Sequence, residues 1–149
     1  MRAVLQRVLH ARVSVEGRPV GTIQGGICAF VGAQRDDTAA DAIWLADKAV
    51  NARIFVDHEG KMNRSLLDVG GAVLAVSQFT LLGDLRRGNR PSFNNAMDPE
   101  PAARLIDEFC RRVEERGVAV QTGQFRAKML VELGNDGPVT LLLDSKKSF

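Results

Sequence analysis

The chain has 149 residues with no tyrosine, one tryptophan (Trp44), two cysteines and two histidines. Each shortage narrows what the protein can do. Without tyrosine and with a single tryptophan, an aromatic platform for stacking single-stranded nucleic acid is poorly supplied. Cys28 and Cys110 lie far apart, inside apolar patterns and without metal-ligand spacing, so they read as buried free thiols in a reducing compartment. His10 follows an N-terminal strand, and His58 sits in the turn Asp57-His58-Glu59-Gly60. Neither belongs to a zinc or catalytic motif, which argues against histidine-driven hydrolysis. No apolar run approaches the roughly 20 residues needed to cross a membrane. The opening Met1-Arg2-Ala3-Val4-Leu5-Gln6-Arg7 has charges too close together for a signal peptide, so the expected location is cytoplasmic. Phosphate-binding and dinucleotide fingerprints are also missing. The glycines between 21 and 26 are wrongly spaced for either, and they read as a hairpin turn.

What remains is ordinary globular material: 45% hydrophobic, 26% charged, with a formal net charge of +2. That length and balance fit one domain over 1–149 with a real core. The mild positive charge permits an RNA partner without arguing for one. Residues 3–31 read as strands, rich in β-branched Val4, Val8, Val13 and Val15 and ending in the apolar run Ile27-Cys28-Ala29-Phe30-Val31. Thr38 followed three residues later by Asp41 starts a helix over 39–50. Short strands follow at 53–56 and 72–76, with turns at 57–60 and Gly70-Gly71, and then a polar loop over 83–95. Asp98 as N-cap, Pro99 at the first helical position and Gly117 after the end define a second helix. Its apolar face is Ala102, Leu105, Ile106, Phe109 and Val113. Strands are expected at 118–121, 129–132 and 139–143. The sum is one compact α/β domain with a mixed or antiparallel, barrel-like sheet and two main helices.

Two segments carry candidate chemistry. Ser77-Gln78-Phe79-Thr80-Leu81-Leu82-Gly83-Asp84 leaves the end of a buried strand, a common place for ligands in α/β proteins. It offers hydroxyls, an amide and backbone N–H groups, but no strong base. Thr80 invites the role of nucleophile, yet no base lies beside it in sequence, and an unactivated hydroxyl is weak. The second segment is Asn135-Asp136-Gly137-Pro138-Val139-Thr140. Only about one X-Pro bond in twenty is cis in folded proteins, so spacing alone favours a trans turn at Gly137-Pro138. The loop Arg86-Arg87-Gly88-Asn89-Arg90 is either a solvated surface or a phosphate contact.

Taken together, Ser77-Gln78-Phe79-Thr80-Leu81 and Asn135-Asp136-Gly137-Pro138-Val139-Thr140 resemble the paired signatures of the D-aminoacyl-tRNA deacylases. Also similar are Gln6-Arg7-Val8 with Ala11 and Val13-Ser14-Val15, Gly83-Asp84, Gly88, Arg90-Pro91-Ser92-Phe93, Phe125 and Met129. The resemblance spans essentially the whole chain. Leu82 and Leu85-Arg86 depart from it, and Arg126 and Lys128 make the link to Met129 more basic than the pattern.

The resemblance implies a homodimer with active sites at the subunit interface. It implies hydrolysis of the ester between a D-amino acid and the terminal adenosine of tRNA, and removal of glycine mischarged onto tRNA(Ala). It further implies a cis Gly137-Pro138 bond reaching into the partner's site, which overrides the trans preference. Carbonyl oxygens of that dipeptide would hold the substrate amino group and crowd the position of an L side chain, while a D side chain points away. Ser77, Gln78, Phe79 and Thr80 become the catalytic segment, with oxyanion donors near Phe79 and Thr80 and the vicinal ribose hydroxyl helping to activate water. Phe125 and Met129 wall the pocket, and Arg7 braces the Gly-Pro loop. No metal or cofactor is implied. The partners are the aminoacyl-tRNA 3′ end and a second copy of the chain, with no membrane and no DNA. Two other readings stay open: a Thr80-centred covalent esterase for small substrates, and a non-catalytic nucleic-acid-binding module using the Arg86 to Arg90 loop.

Overall fold

A computed structural model describes residues 1–149. The chain runs β1 (Arg2–Val15), β2 (Arg18–Ile23), β3 (Gly26–Gly32), α1 (Ala39–Asn51), β4 (Phe55–Val56), β5 (Met62–Arg64), α2 (Leu66–Val69) and β6 (Ala72–Ser77). A 3-10 turn (Phe79–Leu82), α3 (Pro99–Glu115), β7 (Val120–Thr122) and β8 (Met129–Asp144) follow. The main sheet has the order β2-β1-β3-β6-β7, with β8 also pairing β1. It is mixed: β1 pairs β2, β3 and β8 antiparallel, whereas β3-β6 and β6-β7 are parallel. β2 curls back towards β7 and nearly closes the sheet. There the Gly21 backbone lies so near Thr122 that an added Cβ would fall 2.6 Å from its carbonyl oxygen.

The apolar runs at 27–31 and 72–76 are explained by burial on both sides, as expected of strands in the middle of a covered sheet. Ile27, Ala29, Val31, Val73 and Ala75 face a core shared with α1 and α3. Cys28, Leu74 and Val76 face a smaller core enclosed by the curl, with Val8, Val13 and Ile23. The helix α3 buries Ala102, Ile106, Phe109 and Val113. Of these, Phe109 and Val113 have no exposure, and truncating such a phenylalanine to alanine costs about 3–5 kcal/mol. Arg112 on α3 ties the two helices together by donating to both oxygens of Asp47 on α1 at 3.1 and 3.0 Å. At the start of α1, the Asp41 carboxylate accepts from the Thr38 N–H at 2.8 Å. After α3, Gly117 takes a left-handed φ of +82° that few other residues adopt at ease.

Three findings differ from the sequence expectation. A third, single-turn helix, α2, is nucleated by a reciprocal Ser65–Asp68 cap. The residues after Ser77, read only as a polar segment leaving the strand end, form a 3-10 turn. The strands expected at 129–132 and 139–143 are one strand, β8, which pairs β1 along its whole length. Its ladder shifts register twice, and the larger shift is telling. Gln6 pairs Thr140 and Val8 pairs Asn135, so residues 136–139 stand opposite Arg7 alone. The segment read as a loop between strands is therefore a large bulge within one strand. No helix is long and apolar enough to cross a membrane.

Candidate active site

The parallel pair β3-β6 delivers two strand ends to one place. Beyond them opens a cleft of about 500 Å³, with Val31 and Gly32 from β3, Ala33 just after it, and Val76 and Ser77 from β6 on one wall. Pro99, Ala102 and Ile106 of α3 form a second wall, and the stretch from Phe125 to Val131 forms a third. Gln78 and Phe79 complete the floor. The close approach of these strands depends on Gly32: a Cβ there would fall 2.7 Å from the Gln78 carbonyl oxygen and 2.8 Å from Leu82 Cδ2.

Gln78 is anchored by its N–H, which donates to the Val31 carbonyl at 2.8 Å. Its side-chain amide donates to the Thr80 hydroxyl. An amide takes up no proton, so this partner cannot activate Thr80 as a nucleophile. The first bond of the 3-10 turn runs from Leu81 N–H to the Gln78 carbonyl at 3.2 Å. The N–H groups of Phe79 and Thr80 precede it and have no backbone partner, so they are free to meet an oxygen. Phe79 is 56% exposed and packs edge-on against Phe93, with ring centroids 5.0 Å apart. Arg2 secures the far end of the turn, donating to the Leu81 carbonyl at 3.3 Å.

Ser77, Gln78, Phe79, Phe125 and Met129 thus share one cleft. Gly137, Pro138 and Arg7 do not line it. They form a second assembly at the β8 bulge. Arg7 is 8% exposed. Its Nε donates to the Asp136 carbonyl at 3.1 Å and pairs with the Asp136 carboxylate at 3.0 Å. Its Nη1 donates to the Ile54 carbonyl. Asn135 closes the bulge from within, its amide donating to the carbonyls of Arg7 and Val139, both at 3.0 Å. The Gly137-Pro138 peptide is cis, and both residues are exposed. A Cβ on Gly137 would strike the Val139 nitrogen.

A match to the family model described as D-Tyr-tRNA(Tyr) deacylase covers residues 4–144. This chain belongs to that family. A "D-aminoacyl-tRNA deacylase" of Sorangium cellulosum is 57% identical over 150 residues, covering all of both chains. Among solved structures, a "c-Myc DNA Unwinding Element Binding Protein" is 36% identical with a TM-score of 0.90, covering 97% of this chain and 98% of its own. A "probable eukaryotic D-amino acid tRNA deacylase" shares the fold at a TM-score of 0.82 and 20% identity, covering 95% and 97%.

Membership in the deacylase family makes the chain a hydrolase, and the cleft is furnished accordingly, with apolar walls and a short polar rim. No group of three or more His, Cys, Asp or Glu side chains is placed to hold a metal ion. His10 and His58 are both exposed, and neither lines the cleft. The thiols of Cys28 and Cys110 are pushed up to about 12 by burial, which keeps them protonated and poor as nucleophiles. Sequence reasoning did not single out Gly32, Ala102, Ile106 or Asn135. The apolar periodicity of α3 marked two of them as core without saying that they border a cavity. Asn135 was visible as part of a motif, but its two acceptors lie on residues that only the fold brings together.

Proposed function

We infer that the cleft binds the aminoacylated 3′ end of tRNA and hydrolyses the ester of D-aminoacyl-tRNA, and of glycine mischarged on tRNA(Ala). The observation that carries this reading is the polar rim of the cleft. It offers the N–H of Phe79, with that of Thr80 one residue beyond the lining, and a Gln78–Thr80 pair with no protein base hydrogen-bonded to the hydroxyl.

Water attacks the ester carbonyl carbon. The carbonyl oxygen takes on negative charge and is met by the Phe79 and Thr80 N–H groups, a contact that strengthens as the charge develops. The neighbouring ribose hydroxyl stands in for a protein base as a relay, taking the water proton while passing its own proton to the leaving ribose oxygen. The bond to the ribose oxygen breaks as that oxygen takes the relayed proton, and free amino acid and tRNA leave. Ser77 and Gln78 position the adenosine, and Phe125 and Met129 wall it.

Selection against L-aminoacyl esters falls to Gly137-Pro138. Along one chain, about 26 Å of strand separates Gly137 from Met129, taking about 3.3 Å per residue. The dipeptide therefore serves the cleft of a second copy, and the working unit is a homodimer. Exposed Leu130 and Leu142 on β8, at 62% and 63%, and Leu9 on β1, at 63%, supply apolar surface for that contact. The substrate places the enzyme in the cytoplasm.

The test is incubation with D-aminoacyl-, L-aminoacyl- and glycyl-tRNA beside a buffer control, with the mass of the protein measured in solution. D-aminoacyl and glycyl esters are cleaved and L-aminoacyl esters are spared, by a dimer. If no ester is cleaved faster than in buffer, the reading is wrong. The name of the solved relative at 36% identity refers to DNA, so a binding-only protein is the alternative. It predicts retention of nucleic acid without cleavage.

A further inference from the structure

Ten of the twenty lysines and arginines are engaged in ion pairs. Of the ten left without an acidic partner, three lie at or beside the cleft. Arg126 lines the cleft itself, and Lys128 lies between the lining residues Ala127 and Met129. At another part of the lining, Arg35 lies two residues beyond Ala33 and is held by its N–H to the Asn95 carbonyl at 3.0 Å, next to lining Ala96. All three are exposed. Acidic residues near the mouth are Asp36, beside Arg35, and Asp98, between lining Met97 and Pro99, and neither forms an ion pair with these cations. The mouth of an apolar cleft is thus edged by free positive charge at two places.

Arg126 carries a second mark. It occupies the turn Gln124-Phe125-Arg126-Ala127, closed by Ala127 N–H to the Gln124 carbonyl at 3.2 Å. Its φ is +63°, in the left-handed region. Glycine would sit there without strain, whereas a long side chain with a Cβ is disfavoured. A strained backbone in a site-forming turn is an observation from which a role can be argued, and here the side chain that replaces the glycine carries charge to the rim.

We propose that Arg126 and Lys128, together with Arg35, hold the phosphates immediately preceding the terminal adenosine, so that the RNA backbone crosses the cleft mouth against these cations. The proposal rests on the deacylase reading and assigns what that reading leaves open: how the enzyme grips the strand rather than the ester. Guanidinium forks suit phosphate oxygens, and phosphate contacts fix register without reading sequence. These residues are positioning residues and take no part in the bond changes.

The experiment compares two substrates bearing the same ester: D-aminoacyl-tRNA, and D-aminoacyl-adenosine, which has no phosphate. The variants are R126G, R126K and R126G/K128A. R126G removes the charge while relieving the left-handed backbone, so its thermal midpoint stays level or rises, and a loss of activity cannot be ascribed to misfolding. For R126G the loss in kcat/KM on tRNA exceeds the loss on the nucleoside ester by about tenfold, the worth of one charge-assisted contact. R126K recovers most of it. For the double variant, the slope of log kcat/KM against log salt on tRNA becomes shallower by about 1.4, at about 0.7 per phosphate contact on a single strand. Equal losses on both substrates, or no loss on either, overturn the assignment while leaving the deacylase reading intact. A wild-type enzyme that cleaves neither ester overturns the deacylase reading and this one with it.

Discussion

Replacing Arg7 with alanine tests whether the Gly-Pro bulge is held from β1. The side chain is buried and serves two backbone carbonyls, those of Asp136 and Ile54, as well as the Asp136 carboxylate. A charged donor to a buried carbonyl is worth about 1.5 kcal/mol or more, and both carbonyls lose theirs. The carboxylate is 42% exposed, so its ion pair adds about 0.5 kcal/mol after solvent screening. The total is about 3–4 kcal/mol. With a urea slope of about 2 kcal/mol/M, the unfolding midpoint falls by about 1.5–2 M. The measurement is urea unfolding at fixed protein concentration, since the proposed dimer would make apparent stability depend on it. In parallel, the ratio of D- to L-aminoacyl-tRNA cleavage is determined well below the midpoint. The ratio falls at least tenfold, because the bulge keeps only its Asn135 clamp. R7K restores charge but not the fork, so it recovers stability only in part. A midpoint shift corresponding to less than 1 kcal/mol, or an unchanged D-to-L ratio in the destabilised variant, would refute the bracing argument.

Thr80→Ala keeps deacylation within about threefold, since a hydroxyl paired only with an amide is no nucleophile. A loss of a thousandfold or more in single-turnover assays would restore the covalent route. Asp37→Asn removes the counter-charge of the Met1 ammonium, which lies 2.7 Å away with both side chains fully buried. An unpaired buried charge costs about 3 kcal/mol or more, read as a lower thermal midpoint with the D-to-L ratio intact. Acid should weaken the same corner of the fold. Burial opposes ionisation of Asp41, but the Ser145 hydroxyl, the Thr38 N–H and the Lys146 ammonium outweigh it and hold the group well below the usual carboxylate range. Asp144 is lowered in the same sense. Because the folded state binds these protons less readily than the unfolded one, their contribution is fully present above about pH 4 and is lost as pH falls further. A thermal midpoint that does not drop between pH 5 and pH 2.5 would contradict this.

The parts of the fold that rest on local chemistry were legible in the sequence. Asp98-Pro99, the four-residue apolar spacing and Gly117 define α3, and every one of those signals acts within the helix itself. The two-sided burial of 27–31 and 72–76 was equally plain, because a continuous apolar run has few other uses. The continuity of β8 was not legible. Gly134, Asn135, Gly137 and Pro138 are turn residues by any local rule. What keeps the strand in register on either side is pairing with β1 and the Asn135 bonds to Arg7 and Val139, and these are facts of the fold. The cleft divides the same way. Ser77 to Thr80 stood out as a polar strand end, but the α3 wall and the Gly32 approach depend on how the layers stack. The 3-10 turn escaped notice because Phe79-Thr80-Leu81 is a β-favouring sequence, overridden here by the Arg2 anchor and the Phe79–Phe93 contact.

The bulge opposite Arg7 joins residues 129 apart in sequence. During synthesis, β1 leaves the ribosome with its β8 edge vacant, and the dipeptide assigned to chiral selection has no shape until β8 docks. Contacts of such long range form late, because closing the intervening chain costs entropy before they return any stability. A nascent chain, or one clipped within β8, therefore lacks both the Gly137-Pro138 bulge and the cleft wall that Met129 and Val131 supply. The cleft and the dipeptide proposed to discriminate thus depend on the same strand, so neither takes shape before β8 has docked on β1.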